Sequence, residues 1–260
     1  MTKILAVTNQ KGGVGKTTTS VNLAASLAVM KQRVLLVDLD PQGNATMGSG
    51  IDKRGLEATV YQVLLGSITL KEARTPSETG KYDVLPANRE LAGAEIELVE
   101  LENRETRLKD ALQSVIDEYD YVLIDCPPAL NLLTLNGLCA AQSVMIPMQC
   151  EYYALEGLSD LVNTIRKVRS HLNPVLEIEG LLRTMFDPRN TLAQQVSDQL
   201  QQHFGDKVYR TVIPRNVRIA EAPSYGVPVF YHDKLSKGTQ AYLALAGELL
   251  NNAAGFAQPQ

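Results

Sequence analysis

NQKGGVGKTTT, residues 9–19, holds two lysines where a phosphate-binding loop needs one. Such a loop follows the pattern glycine, four residues, then glycine-lysine-serine/threonine. Its backbone N–H groups wrap the phosphates and its lysine reaches the outer ones. Gly15, Lys16 and Thr17 match the end of that pattern, and Gly12, Gly13, Val14 and Thr18 complete the stretch that would touch phosphate. Gln10 stands where the first glycine belongs, and beside it Lys11 places a second cation at the mouth of the loop. The apolar run ILAVT leads in and a helix starting near Lys16 leads out, so the loop amides and the positive end of the helix dipole face one spot. That spot suits a triphosphate, with Thr17 placed to offer its hydroxyl to Mg²⁺.

Outward from the loop, KILAVT, RVLLVD, YVLIDC, SVMIPM and IEGLLRTM are apolar at nearly every position, as strands buried on both faces are. They are expected to be central parallel strands. KTTTSVNLAASLAVMK, LSDLVNTIRKVRSHL and TLAQQVSDQLQQHF carry apolar residues at intervals of three or four and predict helices between them. The pattern predicts a doubly wound α/β fold, a mostly parallel sheet flanked by helices, with ligands at the carboxyl ends of the strands. With 260 residues, 45% hydrophobic and 21% charged, and no linker or repeat, the chain reads as one domain over 1–250 and a frayed tail, NNAAGFAQPQ, over 251–260.

Composition also bounds the setting. No signal peptide or membrane-spanning helix is visible, so a cytoplasmic protein is expected. Cys126, Cys139 and Cys150 form no Cys-x-x-Cys pair, which argues against a disulfide framework or a zinc site and for buried free thiols. The formal net charge of −4 gives no global attraction for nucleic acid, so DNA binding would need a local patch or several chains acting together.

Three aspartates extend the site. RVLLVDLDPQGN ends a strand in Asp38 and Asp40, and YDYVLIDCPP ends another in Asp125. Carboxylates at strand ends point toward the crevice that holds the loop. Asp125 reads as the acidic partner of Mg²⁺, and Asp38 or Asp40 as the group that orients water for attack on the γ-phosphate.

With these motifs in place, KGGVGKTTT, LLVDLDPQGNAT, LIDCPP, QCEYYALEGL and VIPRNVRIAEAPSYGVP together resemble the deviant Walker A ATPases of the ParA/Soj chromosome-partitioning type, from about residue 3 to about residue 250. The last two segments are the ones specific to the partitioning branch. No helix-turn-helix segment precedes the loop, so the chain resembles the short, chromosome-type form.

The resemblance implies an ATPase that forms a homodimer when ATP-bound, each subunit's signature lysine reaching the phosphates held by the other. Lys11 matches that lysine. Lys16 then matches the lysine on the subunit's own phosphates, Thr17 the direct Mg²⁺ ligand, Asp125 its outer-shell carboxylate and Asp40 the residue that activates water. Asp38 is left as a structural carboxylate. Pro214 and Asn216 match adenine-side contacts, and Glu151 a residue near the dimer interface. Arg189 and Arg218 match arginines that form a basic face for non-specific double-stranded DNA once the dimer closes. A ParB-type centromere-binding partner and a nucleoid-associated place in a bacterial cell follow from the same resemblance.

The alternative is a MinD-like membrane-associated cell-division ATPase, which should end in a basic amphipathic helix. After Lys237 no lysine or arginine follows, and the apolar stripe there reads as core packing. An iron–sulfur reductase would need paired thiolates between subunits, and a direct repressor a base-reading element. Neither is visible.

Overall fold

The apolar runs become strands because each residue has a core to enter on its own side of a sheet. In the computed structural model, which describes residues 2–255, the strands are β1 (Lys3–Val7), β2 (Val34–Asp38), β3 (Thr75–Ser77), β4 (Tyr82–Leu85), β5 (Tyr121–Asp125), β6 (Ser143–Met148) and β7 (Glu177–Arg183). They form one sheet in the order β3-β4-β2-β5-β1-β6-β7, parallel except for β3 against β4. Ile4 and Ala6 of β1 face one core, with Leu35 and Val37 of β2; Leu5, Val34 and Leu36 face the other. The second core is closed by the helices Lys16–Val29 and Lys237–Gly255, through Leu23, Leu27, Tyr242, Leu245 and Leu249.

Two expectations are corrected. IEGLLRTM forms β7, which lies at the sheet's edge rather than its centre, with Glu177 exposed and only Gly180, Leu181 and Leu182 fully buried. β3 and β4 were not expected: TPS and YDVL are too short to show a period, and Pro76 is tolerated because β3 is an edge strand. The last helix is Lys237–Gly255; residues 256–260 of the expected tail lie outside the described residues.

The first parallel ladder sets the site. Asp125, the last residue of β5, stands opposite Val7 on one side and Asp38 on the other. Three strands thus end at one level, and the loop after β1 rises beside Asp125, with Asp38 one strand further away. Below it, Gly137 in the helix Leu132–Ala140 lets that helix lie directly on the sheet: a Cβ there would sit 2.8 Å from Cys126 Sγ and 3.2 Å from Leu39 Cδ1. Gly137→Ala is therefore expected to destabilise the fold by about 1–3 kcal/mol of overpacking, against roughly 1 kcal/mol gained in helix propensity. Thermal unfolding of Gly137→Ala, alone and with Cys126→Ala, checks it; the second change should recover part of the loss.

Candidate functional site

The loop from Thr8 to Gly15 is pinned from the β6 and β7 side of the sheet. Asn9 Nδ2 donates to Pro147 O of β6 at 2.9 Å, and its Oδ1 accepts the Lys11 amide at 3.0 Å. Thr184, next after β7, donates its hydroxyl to Val14 O at 2.7 Å. Gly13 and Gly15 take left-handed φ of 72° and 89°, which side chains rarely adopt. Gly15 is also the N-cap of Lys16–Val29, and no side chain caps that helix. Its first amides are left for an anion. Lys16 is buried and folds back so that Nζ donates to Lys11 O at 3.1 Å. Burial lowers its pKa, opposed by the charges of Asp125 and Asp40.

Asp125 and Asp38 are both fully buried. Thr17 Oγ1 and Ser20 Oγ donate to the two oxygens of Asp125 at 2.7 and 2.9 Å. Burial, then the neighbouring charge of Asp38, pushes the Asp125 carboxyl up to about 8. Asp38 accepts the Thr46 amide at 2.9 Å, the Thr46 hydroxyl at 2.7 Å and the Asp40 amide at 3.1 Å. Burial still lifts it to about 6 despite those bonds. Asp40 is half-buried and accepts the Gln42 amide at 2.9 Å, in a tight turn at the rim. Asp38 therefore shapes the turn, and Asp40 is the carboxylate with access to the space above the loop.

Lys11 is not in the phosphate cradle of its own chain. Its Nζ pairs with Glu151 at 2.5 Å, both side chains about half exposed. On the other side of the loop a cleft of about 250 Å³ opens beside Gly15 and Thr18, walled by Thr184, Met185, Ile213, Pro214, Asn216 and Tyr242. Asn216 Oδ1 caps the helix Val217–Glu221 by accepting the Arg218 and Ile219 amides, which leaves its amide group for anything in the cleft. The three cysteines are buried and free; burial raises Cys139 and Cys150 to about 11 and Cys126 higher still.

A family model described as an AAA domain matches residues 2–178. The sporulation initiation inhibitor protein Soj of Bacillus subtilis is 57% identical over 252 residues, 97% of this chain and 100% of that protein. The chromosome partitioning protein ParA of Myxococcus xanthus is 53% identical over 248 residues, 95% of this chain and 88% of that one. The chain belongs to the ParA/Soj family of chromosome-partitioning ATPases. Among solved structures, a Mycobacterium smegmatis chain named cobyrinic acid a,c-diamide synthase, with bound ADP and magnesium, is 40% identical and superposes with a TM-score of 0.88, covering 98% of this chain and 97% of that one.

In this ParA/Soj chain the two arginines proposed for a basic face are already paired. Arg189 donates to both carboxylate oxygens of Asp187, at 3.0 and 2.8 Å. Arg218 meets Glu221 at 2.9 Å and Asp233 at 3.4 Å. Sequence reasoning also passed over Ser20, Thr46, Thr184 and Met185. Thr184 had a signal, since it directly follows a strand at the carboxyl edge of the sheet, where the loop also lies; Ser20 lies one helical turn after Lys16, on the face that Asp125 meets.

The buried carboxyls set a pH dependence. Both bind a proton more tightly in the folded chain than in the unfolded one, whose carboxyls titrate near about 4. Their contribution to stability is present at low pH and is lost as pH rises toward about 8. The nucleotide-free protein is expected to lose at least about 1.4 kcal/mol of stability, one pKa unit's worth, between roughly pH 6 and pH 8.5. Urea unfolding across that range checks it, with Asp125→Asn expected to remove most of the slope.

Proposed function

We propose that this protein is a Mg²⁺-dependent ATPase that closes into an ATP-bound homodimer, binds double-stranded DNA without sequence preference, and is released on hydrolysis stimulated by a ParB-type centromere-binding protein. The convergence of Lys16, Thr17 and Asp125 beneath an uncapped helix N-terminus, with a base-sized cleft alongside, carries the nucleotide part. The near full-length likeness to Soj and ParA supports the partitioning role, in bacterial cytoplasm at the nucleoid.

The donor set fits the metal: a hydroxyl and a buried carboxylate 2.7 Å apart are hard oxygens, and a second buried carboxyl stands next to them. Thr17 would hold Mg²⁺ directly and Asp125 through a water, and the ion when bound neutralises charge on bridged phosphates. Lys16 supplies the subunit's own cation. Lys11 supplies another to the partner's phosphates, exchanging Glu151 for them. An exposed pair such as Lys11–Glu151 is worth under about 1 kcal/mol, so the exchange costs little. Asp40 orients the attacking water, and Pro214 and Asn216 flank adenine.

Membrane attachment in the MinD manner is disfavoured by Lys237–Gly255, whose apolar residues Tyr242, Leu245, Ala246 and Leu249 are already buried against Lys16–Val29. Among the described residues no helix is long and apolar enough to cross a membrane. An amide synthase drawing nitrogen from glutamine would need an activated, accessible thiol, and all three cysteines are buried with raised pKa.

ATP turnover measured alone, with plain duplex, and with duplex plus a ParB-type protein tests the cycle; weak turnover raised jointly by both is expected. Lys16→Ala removes a charged contact worth about 1.5–3 kcal/mol and should weaken ATP binding roughly 10- to 100-fold. Lys11→Ala should keep monomer binding and lose ATP-dependent dimerisation on size exclusion. Asp40→Ala should bind Mg-ATP, dimerise and stay on DNA, with single-turnover hydrolysis down about 10²- to 10⁴-fold. Wild-type turnover in that variant transfers the role to another carboxylate.

A further inference from the structure

Asp40 is set at the rim by the turn Asp40–Gly43, and that turn is held unevenly. Its inner side is held densely. The Asp40 amide donates to Asp38 at 3.1 Å, the Gly43 amide donates back to Asp40 O at 2.8 Å, and a Cβ on Gly43 would lie 2.6 Å from Ala87 O. Gly43 also takes a left-handed φ of 59° as the N-cap of Asn44–Gly48. The outer leg, Pro41 and Gln42, has no such bed. Gln42 is exposed, and a cleft of about 540 Å³ bordered by Thr17, Thr18, Asn44 and Met47 opens beside the short helix that follows. Two hydrogen bonds hold Gln42: its amide donates to Asp40 Oδ1 at 2.9 Å, and its carbonyl accepts Lys53 Nζ. Only the second reaches the leg from outside the turn.

Lys53 is built to make that contact. Its stem crosses Gly43, where a Cβ would sit 2.9 Å from Lys53 Cδ, and its ammonium ends on the Gln42 carbonyl. A side chain at position 43 would block the path. Asp52, the acidic neighbour of Lys53, pairs with Arg54 instead at 3.0 Å, and among the described residues no carboxylate lies within 4.0 Å of Lys53. The partner of this cation is therefore a peptide group of the Asp40 turn. A hydrogen bond with one charged member is stronger than one between neutral groups, and the half-buried stem is anchored along its length.

We infer that Lys53 is a positioning residue for ATP hydrolysis: by holding Gln42 it fixes the amide that orients the Asp40 carboxylate, and with it the water which that carboxylate aims. The inference rests on the reading of Asp40 above. The Gln42 amide engages one oxygen of Asp40 and leaves the other to face water, so a swing of the outer leg turns the carboxylate away from its line. A misplacement of about 1 Å at a reacting group costs roughly 10²-fold in rate. Among the described residues Lys53 makes no hydrogen bond to the loop of residues 9–17, so nucleotide binding and dimer closure are assembled without it.

Single-turnover hydrolysis, Mg-ATP affinity and ATP-dependent dimerisation are measured on the whole chain for wild type, Lys53→Met, Lys53→Arg and Asp40→Ala, together with deuterium exchange over residues 39–47 in the nucleotide-free protein. Methionine keeps the stem over Gly43 and removes the donor. Hydrolysis by Lys53→Met should therefore fall about 10- to 100-fold, while ATP affinity stays within about twofold and dimerisation is kept, because only positioning for the chemical step has been lost. Exchange through the turn should quicken in the same variant. Lys53→Arg restores a charged donor and should recover most of the rate. A cation serving the partner's phosphates would instead lose dimerisation and leave exchange in the turn unchanged. Asp40→Ala with wild-type turnover overturns the reading of Asp40 itself. If Asp40→Ala fails to hydrolyse, this inference alone is overturned by a Lys53→Met variant that hydrolyses like wild type, that loses ATP binding or dimerisation, or that shows unchanged exchange, and equally by a Lys53→Arg variant as slow as Lys53→Met.

Discussion

Two carboxylates buried side by side, Asp38 and Asp125, are the constraint around which this site is arranged. The parallel register of β2 and β5 puts them opposite one another, out of contact with bulk solvent. Such a pair resists full ionisation unless donors or cations surround it. The chain answers each differently. Asp38 receives three donors from its own following turn and becomes a structural post for residues 40–46. Asp125 receives two hydroxyls from the helix after the loop, which ties strand, loop and helix into one unit. Lys16 is the buried cation near them, and it is itself partly desolvated. A further cation is what the electrostatics of this pocket lacks, and a metal-bound polyphosphate supplies one together with an anion for the uncapped helix.

How much of this was legible in the sequence follows from where each signal resides. The central strands showed because burial on both faces leaves no polar position in runs such as LLVD and YVLID. The loop showed because its chemistry is local, in one turn of backbone. β3 and β4 did not: at three and four residues on the antiparallel edge they carry too little pattern, and their pairing depends on a partner rather than on their own sequence. The base cleft was legible at Pro214 and Asn216 only through family resemblance, since Thr184, Met185, Ile213 and Tyr242 come from distant parts of the chain and meet only when folded. Asp187, two residues before Arg189, and Glu221, three after Arg218, lay in plain view as ion-pair partners; Asp233 did not.

The turn after Asp40 and the segment that walls the base cleft meet in a hard backbone contact. The turn shaped by Asp38 continues through the short helix Asn44–Gly48 to Gly50, where a Cβ would lie 2.8 Å from Gly226 O. Gly50 and Gly226 both take left-handed φ, of 80° and 63°, so neither position accepts an ordinary side chain without strain. Thr79 shares its hydroxyl between Ser49 O at 3.0 Å and Gly226 O at 3.1 Å, closing the junction. Gly226 ends the segment that begins at Ile213 and carries Pro214, Arg215, Asn216 and Arg218. Close-packed backbone does not compress, so a shift of the turn after Asp40 must displace that segment or break the Thr79 bonds. The turn that follows Asp40 and the segment that walls the base cleft are therefore mechanically adjacent, although most of the chain lies between Asp40 and Gly226.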